Sequence, residues 1–226
     1  MIELRDVWFR YPGAEAPALR GINLLFDEGA VAVVGPNGAG KTTLLKVASA
    51  LYKPLRGSLL IDGVDPWSLD EGGRAAVRRA CVYLHEKPVM LRGTVWENVA
   101  YPLKIRGLDK TEVEERVEMA LKLMGIRELA DKRASSLSAG QLQRVALARA
   151  IAVEPKHILL DEPAANLDSH GRTLLENLLR RLSSQGASII FSTHDRFSAQ
   201  RVAGRVVLME DGVIVADGEP EEVLRF

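Results

Sequence analysis

One cysteine, Cys81, is all that the 226 residues contain, so an internal disulfide is excluded. Its apolar neighbours Val82 and Leu84 suggest a buried strand position with no redox role, and a reducing cytosol fits. Long hydrophobic runs are missing too. Hydrophobic residues make up 47 %, yet no run approaches the ~20 residues that cross a bilayer, and the N-terminus has no signal-peptide pattern. The expectation is a soluble chain able to dock on a membrane protein. Excess charge of either sign is also absent. The 30 Lys and Arg balance 30 Asp and Glu, leaving no positive field to hold a nucleic-acid backbone, so nucleic acid is not an expected partner. His85, His157 and His170 show no metal-ligand spacing with each other or with Cys81, and no site is assigned to them. There is no internal repeat or low-complexity segment. The length suits one substantial core with an inserted subdomain.

What is present is a phosphate-binding pattern. Gly35, Pro36, Asn37, Gly38, Ala39, Gly40, Lys41 and Thr42 fit Gly-x-x-x-x-Gly-Lys-[Ser/Thr] without a mismatch. Glycines let the backbone turn tightly and aim its N–H groups at phosphate oxygens. Lys41 can reach the β and γ phosphates, and Thr42 can ligand Mg²⁺. The pattern lies between an apolar β-run, Ala30 to Val34, and a helical stretch from Lys41 to Leu51, whose positive N-terminal end adds to anion binding.

Around it, strands are expected at Ile2 to Arg10, Ile22 to Phe26, Gly57 to Ile61 with a tight turn at Asp62-Gly63, and Cys81 to Leu84. Lys110 to Met124 reads as an amphipathic helix burying Val113, Val117, Ala120, Leu121 and Met124. From His157 on, strands (Ile158 to Leu160, Ser188 to Phe191, Val206 to Met209) alternate with helices (Arg172 to Leu182, Phe197 to Val202). That alternation argues an α/β fold with a mainly parallel sheet covered on both faces. Pro88 to Ala152 reads as a helical insertion.

Two further patterns narrow the chemistry. Asp161 and Glu162 end an apolar strand, where parallel sheets place their ligands. One carboxylate can support Mg²⁺ opposite Thr42, and the other can act as general base toward water. Ser138 is a good N-cap for a helix from Gln141, so Ser138, Ala139 and Gly140 offer a hydroxyl and free N–H groups at a positive helix end.

In this order, the three patterns resemble the ATP-binding cassette family, whose signature reads Leu-Ser-Gly-Gly-Gln, over essentially the whole chain. The resemblance implies a P-loop NTPase core with an N-terminal antiparallel β subdomain and an inserted helical subdomain. These would form a single nucleotide-binding domain over 1–226, with 1–87 and 153–226 as core and 88–152 as the helical part. It implies ATP and Mg²⁺ as cofactors, with ATP contacts from 35–42, Thr43 and the signature through Gln141. Tyr11 matches the aromatic that stacks on adenine, Asp168 in Asn166-Leu-Asp168 the loop that crosses the dimer interface, and His194 the histidine that contacts the γ-phosphate. Glu162, His194, Lys41 and Glu86 would serve catalysis, and Thr42, Asp161 and Glu86 the metal.

One copy of each motif implies a homodimer or a pair with a related chain, Ser138 and Gly140 completing the partner's site. Permease subunits and a substrate-binding protein would be further partners, with the chain cytoplasmic and peripheral on the inner face of the membrane. The sequence departs from the pattern twice. No glutamine precedes Gln141, so Glu86 stands where the family carries one. A carboxylate there can still ligand Mg²⁺ but repels phosphate, which would sensitise turnover to pH or Mg²⁺. Ala139 replaces the first signature glycine, with a modest expected effect.

The stretch from Lys87 to Gly107 looks like importer cassettes, closest to those for oxyanions such as tungstate or molybdate. Met90, Leu91, Trp96 and Tyr101 are candidates for the groove that receives a membrane subunit. The additional β-rich regulatory domain that some importers append is not expected after this cassette. Other readings are a cassette acting as a scaffold in lipoprotein release or cell division, a small-molecule kinase, which would usually show an arginine-rich lid, and a GTPase, whose Asn-Lys-x-Asp guanine reader is missing.

Overall fold

The computed structural model describes residues 1–225; Phe226, the last position of the expected domain, lies outside the described residues. In chain order the elements are β1 (Ile2–Phe9), β2 (Leu19–Phe26), β3 (Gly29–Val34), α1 (Lys41–Ala48), β4 (Arg56–Ile61), α2 (Glu71–Arg79) and β5 (Cys81–Leu84). There follow α3 (Val95–Ile105), α4 (Lys110–Leu123), α5 (Ala139–Ala152), β6 (His157–Leu160), α6 (Ser169–Ser184), β7 (Ser188–Thr193), α7 (Arg196–Val202), β8 (Arg205–Glu210), β9 (Val213–Gly218) and α8 (Pro220–Val223). The chain forms two compact units, Met1–Tyr83 with Lys156–Glu162 and Leu179–Phe226, and Leu84–Pro155 with Pro163–Leu178. These limits differ from the expected 88–152 helical segment. Residues 84–87, 153–155 and Pro163–Leu178, expected in the core, fall in the second unit.

The first unit holds two sheets. A three-stranded one runs β2-β1-β4, all antiparallel, and a six-stranded one runs β5-β6-β7-β3-β8-β9. β6, β7, β3 and β8 are mutually parallel, and β9 pairs antiparallel with β8. β6 and β7 are buried at every position, as strands covered on both faces must be, whereas β2 alternates between buried and exposed residues. One core cluster joins Ile2, Leu4 and Ile22 of the small sheet, Leu44, Leu45 and Val47 of α1, and Val33, Leu159, Ile190 and Val207 of the large one. The helix that follows the phosphate loop is therefore anchored by apolar burial.

Local chemistry sets the boundaries. α1 stops at Ala48, short of the expected Leu51, because Ser49 caps it and Ala50 turns left-handed at φ 56°. The Asp62-Gly63 turn is left-handed at both residues (φ 51° and 81°), returning the chain so that Ile61 bridges Val64.

The second unit is helical. α4 starts at the Asp109 cap, whose Oδ1 accepts the Glu112 N–H at 3.0 Å, and buries Val113, Val117, Ala120 and Leu121, with Met124 at its C-cap also buried. α3 opens with a reciprocal capping box between Thr94 and Glu97. Asn98 is fully buried and bonds both backbone groups of Leu91, which fixes the segment entering α3. Among the described residues no helix is long and apolar enough to cross a membrane.

Candidate functional site

β3 delivers the chain to Gly35, where a side chain is geometrically barred. A Cβ there would lie 2.2 Å from the Met209 carbonyl oxygen, and one on Gly40, at φ 101°, would lie 2.8 Å from that of Ala18. The loop closes with Ala39 N–H donating to Pro36. The N–H groups of Gly38, Gly40, Lys41 and Thr42 meet no backbone acceptor among the described residues. They form the donor cradle that a phosphate needs. Lys41 is almost wholly buried, its ammonium donating to the carbonyls of Gly35 (2.8 Å) and Pro36 (3.0 Å), which holds the cation at the loop.

Strand register brings the carboxylates to this loop. β6 and β7 pair in parallel with Leu160 opposite Phe191, so one further residue sets Asp161 beside Ser192. Ser192 in turn pairs with Val33 just before the loop. Asp161 is 2 % exposed and accepts three hydroxyls. Thr42 Oγ1 lies 3.0 and 2.8 Å from its two oxygens, Ser192 Oγ 2.7 Å and the Tyr83 phenol 3.1 Å. Burial, and then the charge of Asp161, push the Tyr83 phenol far above its ordinary value, so it remains a donor at neutral pH.

Glu162 follows with φ 44°. This left-handed turn just past the strand swings it away from Asp161. Its N–H donates to Ser192 Oγ at 2.9 Å, and its carboxylate sits 3.0 Å from Nδ1 of the largely exposed His194. His194 thus meets the carboxylate beside it. Tyr11 is half-buried, edge-on to Phe9 (5.1 Å) and Tyr52 (5.9 Å), with its hydroxyl 3.0 Å from Thr43 Oγ1. Among the described residues no three His, Cys, Asp or Glu cluster as a metal cage. The hard oxygens of Thr42 and Asp161 suit a Mg²⁺ ion that shares its shell with phosphate.

The remaining expected residues lie in the second unit. Ser138 and Gln141 cap α5 reciprocally, at 3.3 and 3.0 Å, which commits the Gln141 side chain to Ser138 N–H. Ala139 is helical and exposed, so its methyl strains nothing. Gly140 differs: a Cβ would sit 2.7 Å from the Asn166 carbonyl. Asp168 accepts the Gly171 N–H at 2.7 Å as α6 begins. Buried Gln143 donates to the Pro163 carbonyl at 3.1 Å. Glu86 is half-buried and makes no hydrogen bond or ion pair among the described residues. A groove of about 360 Å³ is lined by Met90, Leu91, Arg92, Arg133 and Leu142 among others. Trp96 and Tyr101 do not line it; Trp96 lies under the Lys104 ammonium.

Ser192, Tyr83 and Gln143 were not foreseen. A hydroxyl in the otherwise apolar Ile189-Ile190-Phe191 run was the available signal for Ser192.

This fold and loop define a nucleotide-binding protein of the P-loop class. The ABC transporter family model matches residues 19–165. The chain is 40 % identical to the energy-coupling factor transporter ATP-binding protein EcfA of Methanocaldococcus jannaschii, covering 99 % of this chain and 80 % of that protein. It is 38 % identical to the tungstate uptake system ATP-binding protein TupC of Peptoclostridium acidaminophilum, over 87 % and 89 %. The dimeric post-hydrolysis structure of the cassette MJ0796 bound to ADP and Pi superposes with a TM-score of 0.91 at 30 % identity, covering 97 % of this chain and 99 % of that one. The chain therefore belongs to the ABC transporter family. It is an ATP-binding, ATP-hydrolysing subunit of a transporter.

Proposed function

We propose that the chain is a single nucleotide-binding domain that dimerises on ATP, each nucleotide held between one copy's phosphate loop and the other's signature. The observation that carries this is the contact of Thr42 with Asp161 beside the N–H cradle, with Glu162 held next to it. In this reading the loop N–H groups and Lys41 bind the phosphates, and Tyr11 and Thr43 flank the nucleotide. Thr42 and Asp161 would hold Mg²⁺, which would supply neutralisation of the phosphate charge. Glu162 takes the proton of the attacking water, with His194 orienting its carboxylate. Ser138 presents its hydroxyl and Ala139 and Gly140 their N–H groups to the partner's ATP, with Gln141 holding Ser138 in place through the capping box, and Asp168 lies at the dimer interface. Glu86 stands in for the glutamine of the family as a metal or water contact.

The transporter is an importer for an oxyanion of the tungstate or molybdate kind. The sequence from Lys87 to Gly107 and the similarity to a tungstate uptake subunit support this. Permease subunits would hold the chain on the inner face of the membrane, with a substrate-binding protein in the complete system. The identity with EcfA favours a second reading, an energy-coupling-factor assembly. A tagged pull-down from native membranes tests both. Import predicts a permease and a binding protein that takes up oxyanions, and a complex with neither overturns it. Glu162→Gln should keep ATP binding and accumulate dimer by size-exclusion chromatography with ATP; a monomer overturns the shared site.

A further inference from the structure

Ser192 is fully buried, and its single oxygen serves two consecutive residues. Its O–H donates to Asp161 Oδ1 at 2.7 Å, and it accepts the Glu162 N–H at 2.9 Å. Burial without partners does not account for such a hydroxyl, since a polar group in an apolar strand is unfavourable unless bonded. The same strand supplies the contrast. Ser188 Oγ, also buried, has no partner among the described residues, so β7 does not by itself provide hydrogen bonds to its hydroxyls. The Ser192 bonds also fall on the one turn that needs them. Glu162 is a non-glycine residue at φ 44°, a conformation that persists when its surroundings hold it. With no hydrogen bond to this N–H, the turn would relax and the carboxylate would leave His194.

We propose that Ser192 is a positioning residue for hydrolysis, setting the backbone of Glu162 while keeping Asp161 aligned with Thr42. This rests on the reading of Glu162 as the base that acts on water. Tyr83 is an internal control, because its phenol donates to Asp161, whereas the Glu162 N–H donates to Ser192 Oγ.

The test measures steady-state ATPase kinetics and amide hydrogen exchange at Glu162 for Ser192→Ala, Ser192→Thr, Tyr83→Phe and Glu162→Gln. Ser192→Ala should lower kcat about 10-fold or more, since small misplacements of a reacting group are that costly, with KM for ATP within about 2-fold. Its Glu162 N–H should exchange faster, whereas Tyr83→Phe should leave that exchange unchanged. Ser192→Thr, which restores the hydroxyl, should recover most of kcat. Should Ser192→Ala not fold, the wild-type exchange and the threonine variant carry the test, and an unprotected Glu162 N–H in the wild type overturns the proposal. If Glu162→Gln is inactive while Ser192→Ala keeps wild-type kcat, Ser192 has no positioning role and the base reading survives. An active Glu162→Gln overturns both.

Discussion

The two regions that the family motifs mark are built in opposite ways. At the phosphate loop, side chains from α1, β5 and β7 converge on one buried carboxylate, and every hydroxyl involved has a partner. At the start of α5, a local capping box satisfies the N–H groups of Ser138 and Gln141 and leaves those of Ala139 and Gly140 free, and Ser138 and Ala139 are exposed. A site whose geometry is held by its own protein can bind a ligand without help, because ordering costs are already met by folding. A helix end with free N–H groups presents a surface that another molecule must complete. The first region should therefore govern ATP affinity, and the second hydrolysis.

The largest expected effect is Lys41→Ala. Loss of charged hydrogen bonds to phosphate, at about 1.5–3 kcal/mol each, should weaken ATP binding by roughly 100-fold or more in calorimetry. Gly140→Ala separates the regions more sharply. The added methyl must displace the Asn166 carbonyl, at a cost of about 1–3 kcal/mol. Hydrolysis should fall about 10-fold while ATP affinity of the monomer stays the same; an equal loss of affinity would erase the contrast between the regions.

A smaller effect tests the scaffold of the first region. Burial opposes the charge of Asp62, but hydrogen bonds from the Met1 amine, Lys156 and His157 outweigh it and hold this carboxyl well below the usual range. Burial lowers the imidazole of His157, against the pull of Asp62. Both groups bind protons more readily in the unfolded chain, so stability falls with acid. The His157 contribution is complete above about pH 6.5, its ordinary value, and fades below it. That of Asp62 is complete above about pH 4 and is lost as pH falls through its folded value. Urea midpoints should therefore drop from pH 7 to 4, and the deficit of Asp62→Asn at pH 7 should close below about pH 4. The smallest effect concerns Glu86→Gln. If Glu86 replaces the family's glutamine functionally, the variant's ATPase activity depends less on pH and Mg²⁺; identical profiles remove it from the site.

Much of this was legible in the sequence because it is local. The phosphate loop, the amphipathic face of α4, the Asp62-Gly63 turn and the Ser138 cap are each specified within a few neighbouring residues. α2 and β9 were not foreseen. α2 carries two glycines and buries no residue, so its apolar signal is weak, and β9 is a half-exposed edge strand paired only to β8. Cys81 was expected to be buried and without redox function; it is half-buried, and burial together with the nearby Asp62 pushes its thiol up to about 12.

By itself, the sequence determined which chemistry is available: a glycine loop with Lys41 and Thr42, two adjacent carboxylates, and a capped helix end offering a hydroxyl and backbone N–H groups. Only the tertiary structure decided which residues serve that chemistry together. Parallel register places Ser192 against Asp161 from 31 residues away, and Tyr83 reaches the same carboxylate from 78. It also decided that Glu86 belongs to the helical unit and that Gly140 is required by the Asn166 carbonyl. The physical reason is that hydrogen bonds and steric contacts act over a few ångströms in space, and long separations along the chain carry no local trace of them.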